Sequence, residues 1–233
     1  MKKARIADTV ALSLPVAESA VAKMLPAVPL VRRLGMVDYQ PTYAAMRQFT
    51  ASRRSDTADE IWILQHPPVY TVGLAGRPEH MPRHPGVPVE CIDRGGQITF
   101  HGPGQLVLYV LLDLARRRLK VRPLVGFIEQ AVIDLLAEYN VAAIRRSSAP
   151  GVYVNGAKIA ALGLRVRNGC CYHGVALNVD MDLAPFAAID PCGYPGLAVT
   201  QTRELGIAAD ADELGEQLSG RFIHLLATHE SNH

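Results

Sequence analysis

The chain carries almost no excess of charge of either sign: 24 Lys and Arg against 22 Asp and Glu leave a formal +2 over 233 residues. A general nucleic-acid binder normally presents a strongly basic face, so that class is disfavoured. No apolar run of about 18 residues occurs, which argues against a membrane-spanning helix. The basic start, Met1-Lys2-Lys3, has no signal-peptide core behind it, because Asp8, Ser13, Pro15 and Glu18 break up the apolar residues and no small-residue cleavage site follows. These absences predict a cytoplasmic protein. Cysteine is scarce: four residues, Cys91, Cys170, Cys171 and Cys192, with no Cys-x-x-Cys pair, do not make a disulfide framework. Neither a Gly-x-x-x-x-Gly-Lys-Ser/Thr loop nor a Gly-x-Gly-x-x-Gly strand-to-helix turn is present, so a nucleotide site has no positive motif. His80 and His84 are spaced as metal ligands on a helix would be, but they sit in a Pro-rich loop without a third ligand, and no metal site is expected. Internal repeats and low-complexity linkers are absent.

What is present is apolar content: 49% apolar against 20% charged residues supports a sizeable core. Residues 1–28 lack clean periodicity and read as an N-terminal extension to a single domain, 29–233. Pro41, with Tyr43, Met46 and Phe49 on one face, predicts a helix to about Arg53. Residues 60–66 and 69–72 read as strands, and 74–89, rich in Pro, Gly and charge, as a long loop. Two glycine-rich turns, Gly95-Gly96 and Gly102-Pro103-Gly104, bracket a short strand ahead of the apolar run 106–112, a strand buried on both faces. A basic connector follows, with Arg116, Arg117, Arg118, Lys120 and Arg122, whose positive charge could attract an acidic partner or simply be solvated. Leu124, Ile128, Ala131, Val132, Leu135 and Leu136 then recur at helical spacing. Leu214, Leu218, Phe222 and Leu225 predict a last helix over about 212–228.

Asn155-Gly156 and Asn168-Gly169 are both two-residue hairpin signals. They predict an antiparallel meander of about 151–154, 157–167 and 170–180, with Leu164 opposite His173, Gly163 opposite Gly174 and Ala161 opposite Ala176. One face of that meander is a core face; the other carries Ala161, Gly163, Gly174 and Ala176. Small residues gathered in this way mark a close approach, either of a ligand or of another element. The expected fold class is α/β of the α+β type, a largely antiparallel sheet flanked by helices.

Among the thiols, Cys192 stands in a Pro/Gly-rich loop, Pro191-Cys192-Gly193, where packing does not require it; a thiol there has the access a nucleophile needs. Cys91 and Cys171 lie in strand-like surroundings and read as packing. Strict alternation puts Lys158 on the core face with Ala160 and Leu162, so it either snorkels out from the strand end or serves as a proton-exchanging amine. Bringing it to the small-residue face requires a bulge or a strand end. His101 and His173 are rival bases.

Together these residues resemble the lipoyl(octanoyl) transferase family. The resemblance covers about 30–205 and rests on four segments in order: Arg94-Gly-Gly-Gln-Ile-Thr-Phe-His101 with Gly102-Pro-Gly-Gln105, Asn155-Gly-Ala-Lys-Ile-Ala-Ala-Leu-Gly163, His173-Gly-Val-Ala-Leu-Asn178, and Pro191-Cys-Gly193. It implies the fold of the biotin/lipoate ligase catalytic domain, with Cys192 as the acyl-thioester nucleophile and Lys158 as its partner. It further implies that Arg94, Gly95, Gly96, Gln97, Ile98, Thr99, Phe100, His101, Ala161, Leu162, Gly163, Gly174, Val175 and Ala176 bind the acyl substrate. The implied reaction moves an octanoyl group, without cofactor or metal, from octanoyl-acyl carrier protein to a lysine of lipoyl domains in 2-oxoacid dehydrogenase complexes and of the glycine cleavage H protein. An ATP-dependent lipoate or biotin ligase, and a non-catalytic acyl-carrier-binding protein, are the alternatives; the first would need a nucleotide site and no nucleophilic Cys.

Overall fold

The computed structural model describes residues 28–82, 86–146, 149–190 and 196–231. In chain order the elements are β1 (Leu30–Met36), α1 (Tyr39–Ala51), β2 (Glu60–Gln65), β3 (Val69–Val72), β4 (Val89–Cys91), β5 (Ile98–His101), β6 (Gln105–Asp113), α2 (Val121–Glu138), β7 (Ile144–Arg145), β8 (Gly151–Val154), β9 (Ala157–Arg167), β10 (Cys170–Asn178) and α3 (Ala211–Ser231). A seven-stranded sheet runs β1-β2-β6-β10-β9-β8-β7, and a smaller sheet runs β4-β3-β5. All neighbours in the large sheet are antiparallel except β1 and β2. The architecture is the mixed, largely antiparallel α+β arrangement expected. Among the described residues no helix is long and apolar enough to cross a membrane.

The main core lies where α2 and α3 cover one face of the large sheet, burying Leu108, Val110 and Leu112 of β6 with Val175 and Leu177 of β10. Such burial contributes about 1.5–3 kcal/mol for each large apolar side chain. On the opposite face α1 packs Met46 against Trp62, Tyr109 and Tyr172, and the small sheet stands beside it around Tyr70 and Phe100. The β9–β10 register is the one the Asn168-Gly169 turn demands, with Leu164 opposite His173, Gly163 opposite Gly174 and Ala161 opposite Ala176. β1 escapes sequence recognition for a physical reason. It is an edge strand whose register shifts between Arg33 and Gly35, so its apolar residues neither alternate nor bury, and Leu30 and Met36 remain half exposed.

The basic connector is partly consumed by the fold. Asp59, wholly buried, accepts from Arg116 at 2.8 Å and Arg117 at 2.5 Å, as well as from Arg53, and Arg117 also reaches Glu230. Arg116 and Arg117 therefore staple α3 and β2 to the connector, leaving Arg118, Lys120 and Arg122 facing solvent.

Candidate active site

A narrow, partly open recess lies between the large sheet and the segment 94–101. Of the fourteen residues expected to bind the acyl group, all but Gly95 and Phe100 line it. Gly95 lines an adjoining groove that shares Gly96, Gln97, Leu162 and Gly163 with the recess. Phe100 packs instead on Tyr70 and Phe186 in the small sheet's own core. His173 lines it as well, and Tyr39 of α1 and Val107 and Tyr109 of β6 complete the walls. They belong to elements distant in sequence, and no motif flags them.

The paired glycines line the recess, yet their missing side chains make room for protein. A Cβ on Gly174 would stand 2.0 Å from the carbonyl oxygen of Leu108, and one on Gly163 would stand 2.9 Å from Arg94 Cδ. At Gly174 the obstacle is backbone, so close strand approach, rather than an open floor, is what requires glycine. Gly174→Ala is expected to destabilise the fold by about 3 kcal/mol, at the top of the range for overpacking. Urea melts check this; a variant as stable as the parent but selectively poor with long acyl donors would restore the floor interpretation.

Lys158 reaches its place through a bulge. Ala160 pairs with Val152 but Lys158 with Tyr153, so Ile159 is an extra residue in β9. Ile159 and Ala160 both enter the main core, and Lys158 is thereby turned to the face of Ala161 and Gly163. Its side chain is buried at 3% exposure. Nζ donates to Pro150 O at 3.2 Å and lies 5.2 Å from the centre of the Tyr153 ring, within cation–π range. A Cβ on Gly151 would come within 3.0 Å of Lys158 Cε, so this glycine admits the lysine stem. Glu129 of α2, itself buried, accepts from the Gly151 amide at 3.0 Å and anchors that strand end. Lys158 does not line the recess itself; Pro150, which it contacts, lines the adjoining groove.

Three buried histidines lie beside the recess. Burial pushes the His66 pKa down to about 4, and its Nδ1–H donates to Val37 O at 2.7 Å while Tyr109 OH donates to Nε2 at 2.8 Å. Burial, reinforced by neighbouring His66, pushes His101 down to about 3, and both its ring nitrogens are engaged, by Gln105 and Thr71. His101 is thus a neutral, fully bonded ring, unsuited to taking up a proton. His173 adopts φ +65° in mid-strand, is buried, and holds Nε2 3.5 Å from Asp93 Oδ1, an ion-pair distance longer than a hydrogen bond. Burial works against the charged carboxylate of Asp93, but contacts from His173, Tyr172 and Tyr43 outweigh it and hold the pKa well below the usual range. His173 pairs with Leu164, six residues along β9 from Lys158, roughly 20 Å away at strand rise. That distance separates it from any chemistry at Lys158.

Cys192, Pro191 and Gly193 lie outside the described residues, as does His84. The flanks are tied down: Asp190 Oδ2 meets His80 Nδ1 at 3.0 Å, and Val199 lies beside Lys158 in a parallel bridge. Cys171 is buried, with its pKa pushed by that burial up to about 12, and Cys170 is buried and raised as well. Cys91, read from its strand setting as packing, is instead exposed on β4, a short strand at the edge of the small sheet. Among the described residues no group of three His, Cys, Asp or Glu gathers as metal ligands would.

Residues 38–223 match the family model of the lipoyl protein ligase A/B catalytic domain. The chain belongs to this family. Within it, the octanoyltransferase of Dechloromonas aromatica is 66% identical over 198 residues, spanning 85% of this chain and 97% of that protein. The octanoyltransferase of Azoarcus sp. is 64% identical over 84% of this chain and 87% of its own length. The protein is accordingly an acyltransferase of the lipoyl(octanoyl) transferase group. A bipartite lipoate protein ligase of Thermoplasma acidophilum shares the fold at TM-score 0.64 and 15% identity, covering 85% of this chain and 84% of its own. The biotin protein ligase of Aquifex aeolicus does so at TM-score 0.55 and 13% identity, covering 88% of this chain and 72% of its own.

Proposed function

We propose that residues 29–233 form one catalytic domain that transfers an octanoyl group, in the cytoplasm, from octanoyl-acyl carrier protein to a lysine amine of lipoyl domains, through a thioester on Cys192. The observation that carries this reading is Lys158, a buried amine turned by a bulge to the recess face and bracketed by Val199, seven residues after Cys192 in the chain. Lys158 takes the Cys192 proton as the thiolate attacks the donor carbonyl. The C–S bond to the donor's thiol then breaks, and Lys158 returns the proton to that leaving sulfur. In the second half Lys158 deprotonates the incoming lysine and the neutral amine attacks the Cys192 thioester; the C–S bond breaks as the amide forms, the amine's second proton passes to the Cys192 sulfur, and Lys158 releases its proton to solvent. Exchange between thioesters is near energy balance and aminolysis runs downhill, so no ATP is consumed. The recess, with Ile98, Val107 and Ala176 among its walls, suits the acyl chain.

Intact mass spectrometry after incubation with octanoyl-acyl carrier protein, without ATP, tests this reading. The expected result is a gain of one octanoyl group, released on adding a lipoyl domain. A protein that modifies a lipoyl domain only when ATP and free octanoate are supplied would instead be a ligase.

A further inference from the structure

Five buried side chains form one hydrogen-bonded chain leading from the recess wall to the strand of Lys158. Arg94 Nη2 donates to Thr71 Oγ1 at 2.9 Å, and Thr71 Oγ1 lies 3.2 Å from His101 Nε2. His101 Nδ1 lies 2.7 Å from Gln105 Oε1, Gln105 Nε2 is 3.0 Å from Asn178 Oδ1, and Asn178 Nδ2 is 3.0 Å from Thr200 O. Two backbone carbonyls set its direction. Phe100 O, 3.2 Å from Gln105 Nε2, and Thr200 O can only accept, so both side-chain amides must turn their NH₂ groups toward them. Gln105 Oε1 then accepts from His101 Nδ1–H, which leaves Nε2 as an acceptor for the Thr71 hydroxyl. Every link donates toward Thr200, and no member can be reversed alone.

The far end of the chain meets Lys158. Pairing of β9 with β10 stops at Ala160 and Leu177. Beyond it the backbone of Lys158 is held by the extended segment 198–200: its N–H donates to Ala198 O at 2.8 Å, and the Thr200 N–H donates to its carbonyl at 3.0 Å. That segment, 198–200, comes six to eight residues after Cys192 in the chain. Asn178, at the end of β10, grips it through Thr200 O, and the Thr202 N–H returns to Asn178 O at 3.1 Å. We propose that Gln105 and Asn178 are positioning residues of the acyl transfer: through Thr200 they set the segment that brackets Lys158 at a fixed place relative to the Arg94 wall of the recess. This rests on the reading of Lys158 as the proton carrier.

Asn178→Asp keeps shape and the bond from Gln105 but sets an acceptor against Thr200 O, and Gln105→Glu removes the donor to Asn178. Each is expected to lower kcat by about 10²-fold, the cost of a misplacement near 1 Å, with donor KM changed less than about twofold. Because the two belong to one chain, the double variant should lose no more than about twofold beyond the worse single. Thr71→Val should show the same split in milder form and Thr71→Ser should restore it, which keeps the test open if Asn178→Asp does not fold. Activities are scaled to the folded fraction from thermal melts, with Lys158→Ala run in parallel. An inactive Lys158→Ala beside an Asn178→Asp enzyme of normal kcat overturns the positioning role alone. So would losses in kcat that merely follow the folded fraction, or that multiply in the double variant. A Lys158→Ala enzyme of normal turnover overturns the proton-carrier reading, and the positioning role with it.

Discussion

Cys192→Ser is expected to reduce octanoyl transfer by on the order of 10³-fold or more, with the melting temperature unchanged. A serine hydroxyl cannot be ionised by a neighbouring amine at neutral pH, so it attacks the donor thioester poorly, and any oxygen ester formed on it would be slow to release its acyl group to a lysine. The other thiols provide internal controls. Cys171 is buried, with its Sγ 3.4 Å from Val110 O and its pKa pushed far up; Cys170 is buried beside Asp113 and raised too. Cys91 alone among the described cysteines is exposed, so thiol-labelling experiments need a Cys91→Ser background, which should keep most of the activity. The measurement is transfer to a lipoyl domain followed by mass, together with the octanoyl adduct itself. Near-normal turnover by Cys192→Ser would remove the covalent intermediate from the mechanism.

Lys158→Arg, which conserves charge, should nevertheless cost roughly 10²-fold or more in both half-reactions, because guanidinium stays protonated and can neither accept nor return a proton. Space adds to the penalty: the lysine stem already passes the missing side chain of Gly151, and Nζ is directed at Pro150 O. A longer, planar head has no room to turn there. The pH dependence of Cys192 alkylation in the Cys91→Ser background gives a second readout. With Lys158 present, thiolate reactivity should appear below pH 8; in Lys158→Ala the curve should move up toward the free-thiol value of about 8.5. Normal transfer by Lys158→Arg with an unmoved alkylation curve would make the lysine a packing residue. His101 would not inherit the role, since both its nitrogens are committed to Thr71 and Gln105.

Much of the frame was legible because it is local. Asn168-Gly169 favours a tight two-residue turn, so the register of β9 and β10 followed from chain chemistry, and with it the small-residue face. The apolar spacing of 124–136 placed a helix on the sheet for the same reason. β1 was not legible, since an exposed edge strand broken by a register shift leaves no periodic trace. Tyr39, Tyr109 and Asp93 could not be assigned to the recess region either, because each arrives there only through packing between remote segments.

Sequence alone determined which residues are candidates for the chemistry, the motif order that marks the family and the pairing of β9 with β10, all properties of short stretches of chain. Tertiary structure decided what those residues face. One extra residue at Ile159 turned Lys158 away from the core that strict alternation assigns it, because a strand's parity holds only while its ladder is unbroken. The carbonyl of Leu108 occupies the space beside Gly174, and Asp59 takes up two cations of the basic connector. Glycine leaves room without naming what fills it, and a charge run does not disclose its partner. Only the distances between segments far apart in the chain supply those answers.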